Sequence, residues 1–512
     1  MTRLRRNRTV GRSERSDAGY VTIFLLLLIS VLLLVFAGLT RSLDRRREEA
    51  EAAGTLATAV SGVKAEYNRY IFDRYHILLL DVGFGGKGKG EIEELITQSI
   101  EENSGFSVSD VQLTEVRYLG EDKCAEFRRQ IRESLIYLGL EAAADEFIGK
   151  TDGQDEPVSQ SRLDELEAET KGHDTDEAGG EGSEIEGTDI GGSDGESSGD
   201  FAGDVPEGYQ PDSGKKKDPR KGIRKITPAG LALLILPENV RFSDVEIPMD
   251  EVPSRGLFQN EGALVDNGFR SFSGLRKTIS GNKGWGSVLT DHAAQLVYAG
   301  KMFRCLTDPA DEGEKSALNL ELEYLVSGAP TDAENYKKAV SKLIALRLGF
   351  NFASLLADPA RMAEVKSVAI SVTALTPFLY PLTKYLIAAC WAYAESAADV
   401  YLLVRGKKVN LTKSHAAWKT DLTHLLDFSA LSGEEGDSHG LTYREYLLIL
   451  LAFDMDATYL HMLDVMQINA CQADVSGGDP TFRMVNAITA FGVDAEIDLS
   501  DTRVCLHEEG GY

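Results

Sequence analysis

Residues 20–40 read YVTIFLLLLISVLLLVFAGLT, a run of 21 positions without a charged side chain. An α-helix rises about 1.5 Å per residue, so this run would extend about 31 Å, the thickness of the hydrocarbon core of a bilayer. It is longer than the apolar part of a signal peptide, and no A-x-A-like cleavage site follows it. The run therefore predicts a retained transmembrane helix.

Arginines on the two sides of this run bear on its orientation. Six precede it within residues 1–19, and four follow it within residues 41–47. Positive charges favour the cytoplasmic side of a span, and acidic residues count for little. The balance predicts a cytoplasmic N-terminus and an extracytoplasmic body in a single-pass membrane protein, and it leaves the reverse orientation open.

Small and aromatic residues continue at helical spacing beyond the span. The stripe consists of Ala50, Ala53, Ala57, Val60, Tyr67 and Ile71. We expect one helix of about fifty residues, half in lipid and half projecting. Its upper part would dock on a domain, although a narrow stripe of this kind is equally suited to a partner helix.

The net charge of −27 is concentrated in one segment. Residues 151–213 contain 20 Asp and Glu but only Arg162 and Lys171 as basic residues. Such a segment cannot bury enough apolar surface to offset its chain entropy, so it predicts a disordered acidic linker. No basic face suggests nucleic-acid binding.

A basic cluster ends the linker. It comprises Lys215, Lys216, Lys217, Arg220, Lys221, Arg224 and Lys225. The cluster could bind an anionic envelope polymer or lipid headgroups, or it could be a solvated hinge beside the acidic tract.

Seven segments follow from these patterns. They are a cytoplasmic tail (1–19), a transmembrane helix (20–40), a helical stalk (41–80), a small α/β segment (81–150), the acidic linker with its basic cluster (151–225), a mostly helical region (226–480) and a C-terminal strand segment (481–512).

Apolar periodicity predicts the elements of the two folded parts. Helices are expected from Glu91 and over residues 124–148, 318–325, 333–356, 359–373, 377–404 and 443–470. The 377–404 run is apolar enough for a second span, but Lys384, Glu395 and Asp399 would then lie in or near lipid. We therefore favour a buried bundle helix there.

Two segments, residues 106–119 and 487–499, read as single strands without a local hairpin partner. Since lone strands must pair somewhere, we expect both in one sheet. The predicted fold class is α+β and mainly helical. A long N-terminal transmembrane helix would pack on a small antiparallel sheet in a pilin-like way, with an inserted helical region and the disordered acidic linker.

A glycine-lysine loop, GFGGKGKG at residues 83–90, approaches a phosphate-binding P-loop. A P-loop requires Ser or Thr after its lysine to hold magnesium, and Lys89 is followed by Gly90. The sequence therefore disfavours nucleotide hydrolysis.

Other chemical groups form no recognisable catalytic pattern. His415, His424, His439 and His461 lack metal-ligand spacing, and no nucleophile motif is present. The charged run Arg444, Glu445, Asp454 and Asp456 is interpreted as a solvated helix face. Five cysteines without C-x-x-C spacing are interpreted as small buried residues. We assign no catalytic, cofactor-binding or metal-binding residue, and we predict a non-enzymatic protein.

Several motifs carry a resemblance. They are AEYNRYIFDRYHILLLD (65–81), LELEYLVSG (from Leu320), RLGFN (347–351), AESAADVYLLVRGKKVNLTKSHAAW (from Ala394) and MLDVMQINA (from Met462). Together they resemble an uncharacterised membrane protein family of Gram-positive bacteria that accompanies tight-adherence (Tad) pilus loci. The resemblance implies partners among pilus or secretion-apparatus proteins.

The N-terminus also resembles Tad minor pilins, in which a glycine precedes a V-T-v-E stretch. Gly19, Val21 and Thr22 match, but Phe24 stands at the glutamate position. The resemblance implies that, in those pilins, this glutamate pairs with the amino terminus of a neighbouring subunit. The departure favours an accessory role beside the fibre over processing at Gly19 and incorporation into it. The alternatives are a membrane-anchored extracytoplasmic module that binds or senses envelope polymer or ligand, and an exported hydrolase.

Overall fold

The structure, a computed structural model, describes residues 17–83, 88–138, 220, 228–238, 240–255, 285–308, 316–374, 377–423, 425–472 and 480–512. The predicted acidic linker, and its basic cluster apart from Arg220, lie outside these residues. The chain divides into two compact units. The smaller comprises Met1–Glu66, Lys87–Val116 and Ala490–Tyr512, and the larger comprises Tyr67–Gly86 and Arg117–Thr489.

The described elements follow in chain order. They are α1 (Asp17–Ala65), α2 (Arg69–Tyr75), β1 (Leu80–Asp81), α3 (Lys89–Ser104), β2 (Ser107–Tyr118), α4 (Glu121–Leu138), α5 (Pro228–Ile235), α6 (Trp285–Met302), α7 (Glu321–Ser327), α8 (Asp332–Ala357), α9 (Pro359–Val372), α10 (Tyr380–Leu403), α11 (Tyr443–Leu451), α12 (Met455–Cys471), β3 (Ala487–Asp498) and β4 (Arg503–Gly511). The expected α+β class, mainly helical with a small antiparallel sheet, is confirmed.

Helix α1 is 49 residues long and has two different halves. Large apolar side chains from Tyr20 to Leu43 are exposed, and the apolar window of this helix is 0% buried inside the fold. The second half contacts α3 and β4. Its buried face consists of Ala52, Leu56, Ala59, Val60 and Val63. The first half is long and apolar enough to cross a membrane.

The predicted stripe of α1 was only partly correct: Val60 is buried, but the packed face includes Ala52 and Ala59 rather than Ala50 and Ala53. Ala50 and Ala53 are exposed, since the alanines of this segment occur on several faces and only the larger Leu56 and Val63 mark the packed one. The helix also ends at Ala65. Asn68 then starts α2, because its side chain accepts a hydrogen bond from the Ile71 backbone N–H at 3.0 Å.

The sheet has the order β1-β3-β2, with β4 also paired to β3. Residues 119 and 487 are joined by a backbone hydrogen bond of 2.9 Å, and Ser109 bonds Asp498 at 2.7 Å. The two predicted strands are therefore neighbours, as expected. The expectation that residues 487–499 lack a local hairpin partner was wrong, because β4 pairs antiparallel with β3 from Asp498↔Arg503 to Ala490↔Gly511. Only Val504 and Leu506 provide apolar alternation in β4, and the charged Glu508 follows them, so the pattern is too short to have indicated a strand.

The larger unit holds an extensive apolar core. Helices α7 to α10 lie close to their predicted ranges. The predicted helix over 443–470 is instead α11 and α12, bent by 116°. Asp454 causes the break by capping α12, because its carboxylate accepts from the Ala457 backbone N–H at 3.2 Å.

Helix α10 packs against α8 and α9. By length and composition α8 and α10 could also cross a membrane, but 44% and 78% of their apolar windows are buried inside the fold. Glu395 and Asp399 lie on the buried part of α10. Much of the apolar surface of α10 is thus covered by protein.

Two glycines of the smaller unit provide a matched pair of substitutions. A Cβ on Gly510 of β4 would come within 2.9 Å of the Phe491 ring and 3.0 Å of a Val60 methyl, whereas a Cβ on Gly62 of α1 would meet nothing within 4 Å. We expect Gly510→Ala to destabilise this packing by about 1–3 kcal/mol through overpacking. Gly62→Ala should instead stabilise α1 by about 0.5–1 kcal/mol. Amide hydrogen exchange of β4 in detergent-solubilised protein measures both effects.

Equal exchange rates in the two variants would contradict the close packing of β4 on α1. Circular dichroism serves as the control that both variants keep their helix content.

Candidate functional site: buried carboxylates of the larger unit

Among the described residues of the larger unit, six carboxylates have no exposure to solvent. They are Glu321, Glu323, Asp332, Glu395, Asp399 and Asp464. Removing an ionised carboxylate from water costs several kcal/mol unless charged or hydrogen-bonding partners replace the water. The partners of these six groups therefore define what they do.

Four charges form one buried cluster, which we call the four-charge cluster: Arg347, Lys413, Glu395 and Asp399. The side chains of Arg347, Glu395 and Asp399 are 0% exposed and that of Lys413 is 2% exposed. Lys413 pairs with both acids, and Arg347 pairs with Asp399 at 2.8 Å. Two positive and two negative charges balance, as a buried site requires.

Arg347 uses its planar guanidinium to join three elements. From α8 it donates to Asp399 of α10 at 2.8 and 2.9 Å, to the Leu411 carbonyl at 2.5 Å and to the Tyr446 hydroxyl of α11 at 3.0 Å. Asn351, one turn further along α8, donates to Asp399 at 2.9 Å. A single arginine thus fixes α8, α10, α11 and the loop after α10 relative to one another.

Glu395 fastens the same loop at a second point. Its carboxylate accepts from the Lys419 backbone N–H at 2.9 Å and from the N–H and hydroxyl of Thr420 at 2.8 and 2.7 Å. These donors satisfy lone pairs that water would otherwise occupy. The sequence predicted that α10 is a buried helix, but it did not predict the partners of Glu395 and Asp399.

Helix α7 carries two further buried acids in only seven residues, all of them buried. Glu321 accepts from Arg74 at 3.0 Å, from Asn469 at 2.7 Å and from the Arg304 backbone N–H at 2.8 Å. Glu323 accepts from the Leu306 backbone N–H at 2.9 Å. The acids of α7 therefore hold the segment that follows α6.

Two of the buried acids have strongly shifted proton affinity. Burial raises the pKa of Glu323 to about 7, against the hydrogen bond from Leu306 and the interaction with the Tyr443 hydroxyl. Burial raises the pKa of Asp464 to about 6, although Ser254 and Tyr324 donate to it. Glu323 is therefore partly protonated near neutral pH.

Within the described part of the chain, the histidines form no metal-binding group. His461 is buried against α7, where its Nδ1 lies 2.8 Å from the Leu325 carbonyl, and burial lowers its pKa to about 4. His415 pairs with Asp358. His424 lies outside the described residues. His461 is thus a neutral, packed histidine, and its ring fills the space beside Gly328, whose φ of +58° ends α7.

The charged run that starts α11 is structural rather than freely solvated. Arg444 pairs with Asp308 and donates to the Phe303 carbonyl at 3.1 Å. Glu445 completes a capping box with Thr442. These contacts correct the interpretation of Arg444 and Glu445 as a solvated face, because capping needs a glutamate three residues after the threonine. Asp454 and Asp456 are exposed.

The cysteines differ in environment. Cys124 and Cys305 are buried, and burial raises the pKa of each thiol to about 12. Cys505 is exposed on β4, which corrects the expectation that all five are small buried residues. The alternation of β4 places Cys505 on its outward face.

Chemically, the buried acids act as hydrogen-bond acceptors and ion-pair partners that hold loops on helices. Within the described parts of the chain, no three His, Cys, Asp or Glu side chains are grouped to hold a metal ion. A general acid or base must reach a substrate, and the six carboxylates are enclosed by protein.

Comparison with known proteins then gives a family. A family model described as a family of unknown function, DUF5702, matches residues 210–499, more than half of the chain. The chain belongs to the DUF5702 family. No curated protein and no solved structure matches it. The DUF5702 match spans α5 to α12 and β3, so it contains the four-charge cluster and all six buried acids.

Charge balance in the four-charge cluster can be tested by removing one charge. Asp399→Asn leaves Arg347 and Lys413 facing a single acid, and we expect a loss of about 3–5 kcal/mol in the free energy of unfolding. Urea unfolding measures this loss through the fluorescence of Trp391 and Trp418, whose ring centroids are 5.6 Å apart.

The double variant Asp399→Asn/Lys413→Met restores neutrality and should recover part of the loss. Asp456→Asn, at an exposed pair with Lys123, is the control and should leave stability unchanged. A double variant no more stable than Asp399→Asn would contradict the charge-balance argument.

Stability should also depend on pH through Glu323. The unfolded chain releases this proton near pH 4.5, but the folded protein holds it to about pH 7. Between these values the folded state binds more protons, so raising the pH favours unfolding by about 3 kcal/mol in total. Glu323→Gln mimics the protonated acid and should remove this contribution.

The quantity to measure is the difference between the native and Glu323→Gln proteins in urea unfolding from pH 4.5 to pH 8. Asp464 shifts stability in the same direction, and His461 in the opposite one below pH 6.5, but both cancel in this difference. A difference that does not change with pH would show that Glu323 titrates normally.

Proposed function

We propose that the protein is a non-enzymatic, membrane-anchored accessory or minor-pilin-like component of a Tad-type pilus or secretion apparatus. The observation that carries the proposal is the architecture of the smaller unit. Helix α1 exposes apolar side chains from Tyr20 to Leu43, and its second half contacts α3 and the strand β4. A long helix with a free apolar half and a half packed on an antiparallel sheet resembles the pilin arrangement.

The residue at the pilin glutamate position supports a role beside the fibre. Phe24 is 66% exposed on the free half of α1. It offers no carboxylate to the amino terminus of a neighbouring subunit. The proposed interaction is therefore lateral packing of α1 against other membrane helices, driven by contact area in lipid rather than by an ion pair.

The proposal also includes a membrane orientation and a structural role for the buried carboxylates. The arginine balance favours a cytoplasmic N-terminus, and the body would be extracytoplasmic. Burial of 78% of the apolar window of α10 inside the fold supports a single pass through α1. The enclosed carboxylates of the DUF5702 region support a scaffold role, since their hydrogen bonds stabilise the fold.

Site-specific photocrosslinking in the native membrane tests the function. A photoreactive residue at Phe24 or Leu34, both exposed on α1, should form covalent products with pilus or secretion-apparatus proteins. The same residue at Asp456, exposed on the larger unit, is the matched control for α1-specific contacts. Products are identified by mass spectrometry.

Orientation is checked in the same cells with a membrane-impermeant maleimide. Cys505 is exposed whereas the other four cysteines are buried or half-buried, so intact cells should label the native protein more strongly than Cys505→Ser. If abundant, correctly oriented protein yields no product with any pilus or secretion protein, the proposed function is wrong. Labelling only after cell lysis would show that the body lies on the cytoplasmic side.

A further inference from the structure

Exposed large apolar side chains in the described residues form two groups and one isolated case. The first group belongs to the membrane half of α1, and Ile136 of α4 stands alone. The second group, which we call the apolar tip, consists of Ile370, Phe378, Leu379, Leu382 and Leu386. It lies on the end of α9, the turn Pro377–Leu379 and the first turns of α10.

The apolar tip protrudes. Phe378 is 80% exposed, more than any large apolar residue of α1, and Ile370 is 60% exposed. The opposite faces of α9 and α10 are already filled, since Ala369 and Ile387 belong to a buried apolar cluster. The apolar tip is therefore not needed for the core of its own unit.

Charge around the apolar tip is also unusual for this chain. About one residue in six of the protein is Asp or Glu, yet residues 365–394 contain none. The charged residues of that stretch are Lys366 and Lys384. Lys384 holds its ammonium 4.3 Å from the ring centroid of Tyr385. An apolar surface edged by lysine and tyrosine matches the interface of an anionic bilayer.

We propose that the apolar tip inserts into the interfacial layer of an anionic lipid bilayer and gives the protein a second membrane contact besides α1. A fluid bilayer accepts a protruding side chain such as Phe378 without a complementary pocket, which a protein partner would have to supply. The long stems of Lys366 and Lys384 allow their ammonium groups to reach lipid phosphates.

The tether makes such a contact effective even if it is weak. Helix α1 holds the chain at the bilayer, so insertion of the apolar tip is an intramolecular event at high effective concentration. This inference requires only that α1 is in the membrane, and it does not depend on any pilus partner.

The full chain reconstituted into vesicles of equal parts phosphatidylglycerol and phosphatidylcholine provides the test. Phe378→Trp and Leu382→Trp place reporters on the apolar tip, and Ile136→Trp, at a 65% exposed apolar position outside it, is the matched control. The native chain supplies the baseline of its own tryptophans. Replacing the lipids with brominated analogues quenches tryptophans in contact with acyl chains.

We expect loss of emission beyond the native baseline for Phe378→Trp and Leu382→Trp, and none for Ile136→Trp. Equal quenching of all three, or of none while flotation shows the protein on the vesicles, would overturn the proposal. A blue shift that grows with the protein-to-lipid ratio and is insensitive to bromine would assign the apolar tip to a second copy of the chain instead. Failure to float would refute the anchor itself.

Discussion

The ion pair between Arg347 and Asp399 is the contact on which the helical unit most depends. Neither side chain reaches water, so each must find its hydrogen bonds inside the protein. The guanidinium has five donors in a rigid plane, and Asp399, Leu411 and Tyr446 receive them from three different segments. Because each segment supplies an acceptor, none can move without leaving a buried charge unsatisfied.

The same constraint explains how α7 is held. A helix of seven residues is too short to be stable by its own hydrogen bonds. Glu321 and Glu323 bind backbone N–H groups of the segment after α6, and Gly328 allows the left-handed end. Hydrogen bonds to the two buried carboxylates therefore stabilise α7 in place of the backbone hydrogen bonds of a longer helix. They also fix the irregular segment after α6, for which apolar packing alone would permit several arrangements.

Sequence patterns could predict the long helices α8 and α10 and the strands β2 and β3, because the helices carry long apolar patterns and the strands carry alternating or β-branched residues. They could not predict β4, whose apolar alternation is limited to Val504 and Leu506, nor the break at Asp454, where a capping side chain overrides a continuous apolar pattern. The packed face of α1 was partly misplaced because alanine is compatible with either face.

The buried carboxylates were also beyond local reasoning. Glu321 and Glu323 stand in the sequence LELEYL, whose acids would ordinarily be solvated. Their burial follows from partners far away in the chain, such as Arg74 and Asn469. Spacing along the sequence carries no information about such pairs, whereas helix capping by Thr442 and Glu445 is local and has a readable signature.

Apolar surface in this protein lies in two environments. In the core it is covered by other helices, and the charges beside it are neutralised in pairs. On the free half of α1 and at the apolar tip it faces outward, although a contiguous exposed apolar patch favours aggregation in water. The net charge of −27 opposes self-association by long-range repulsion, but residues 365–394 contribute no acidic side chain to it. Lipid removes the liability at both places by the same effect, because acyl chains take up apolar side chains without requiring a shaped partner.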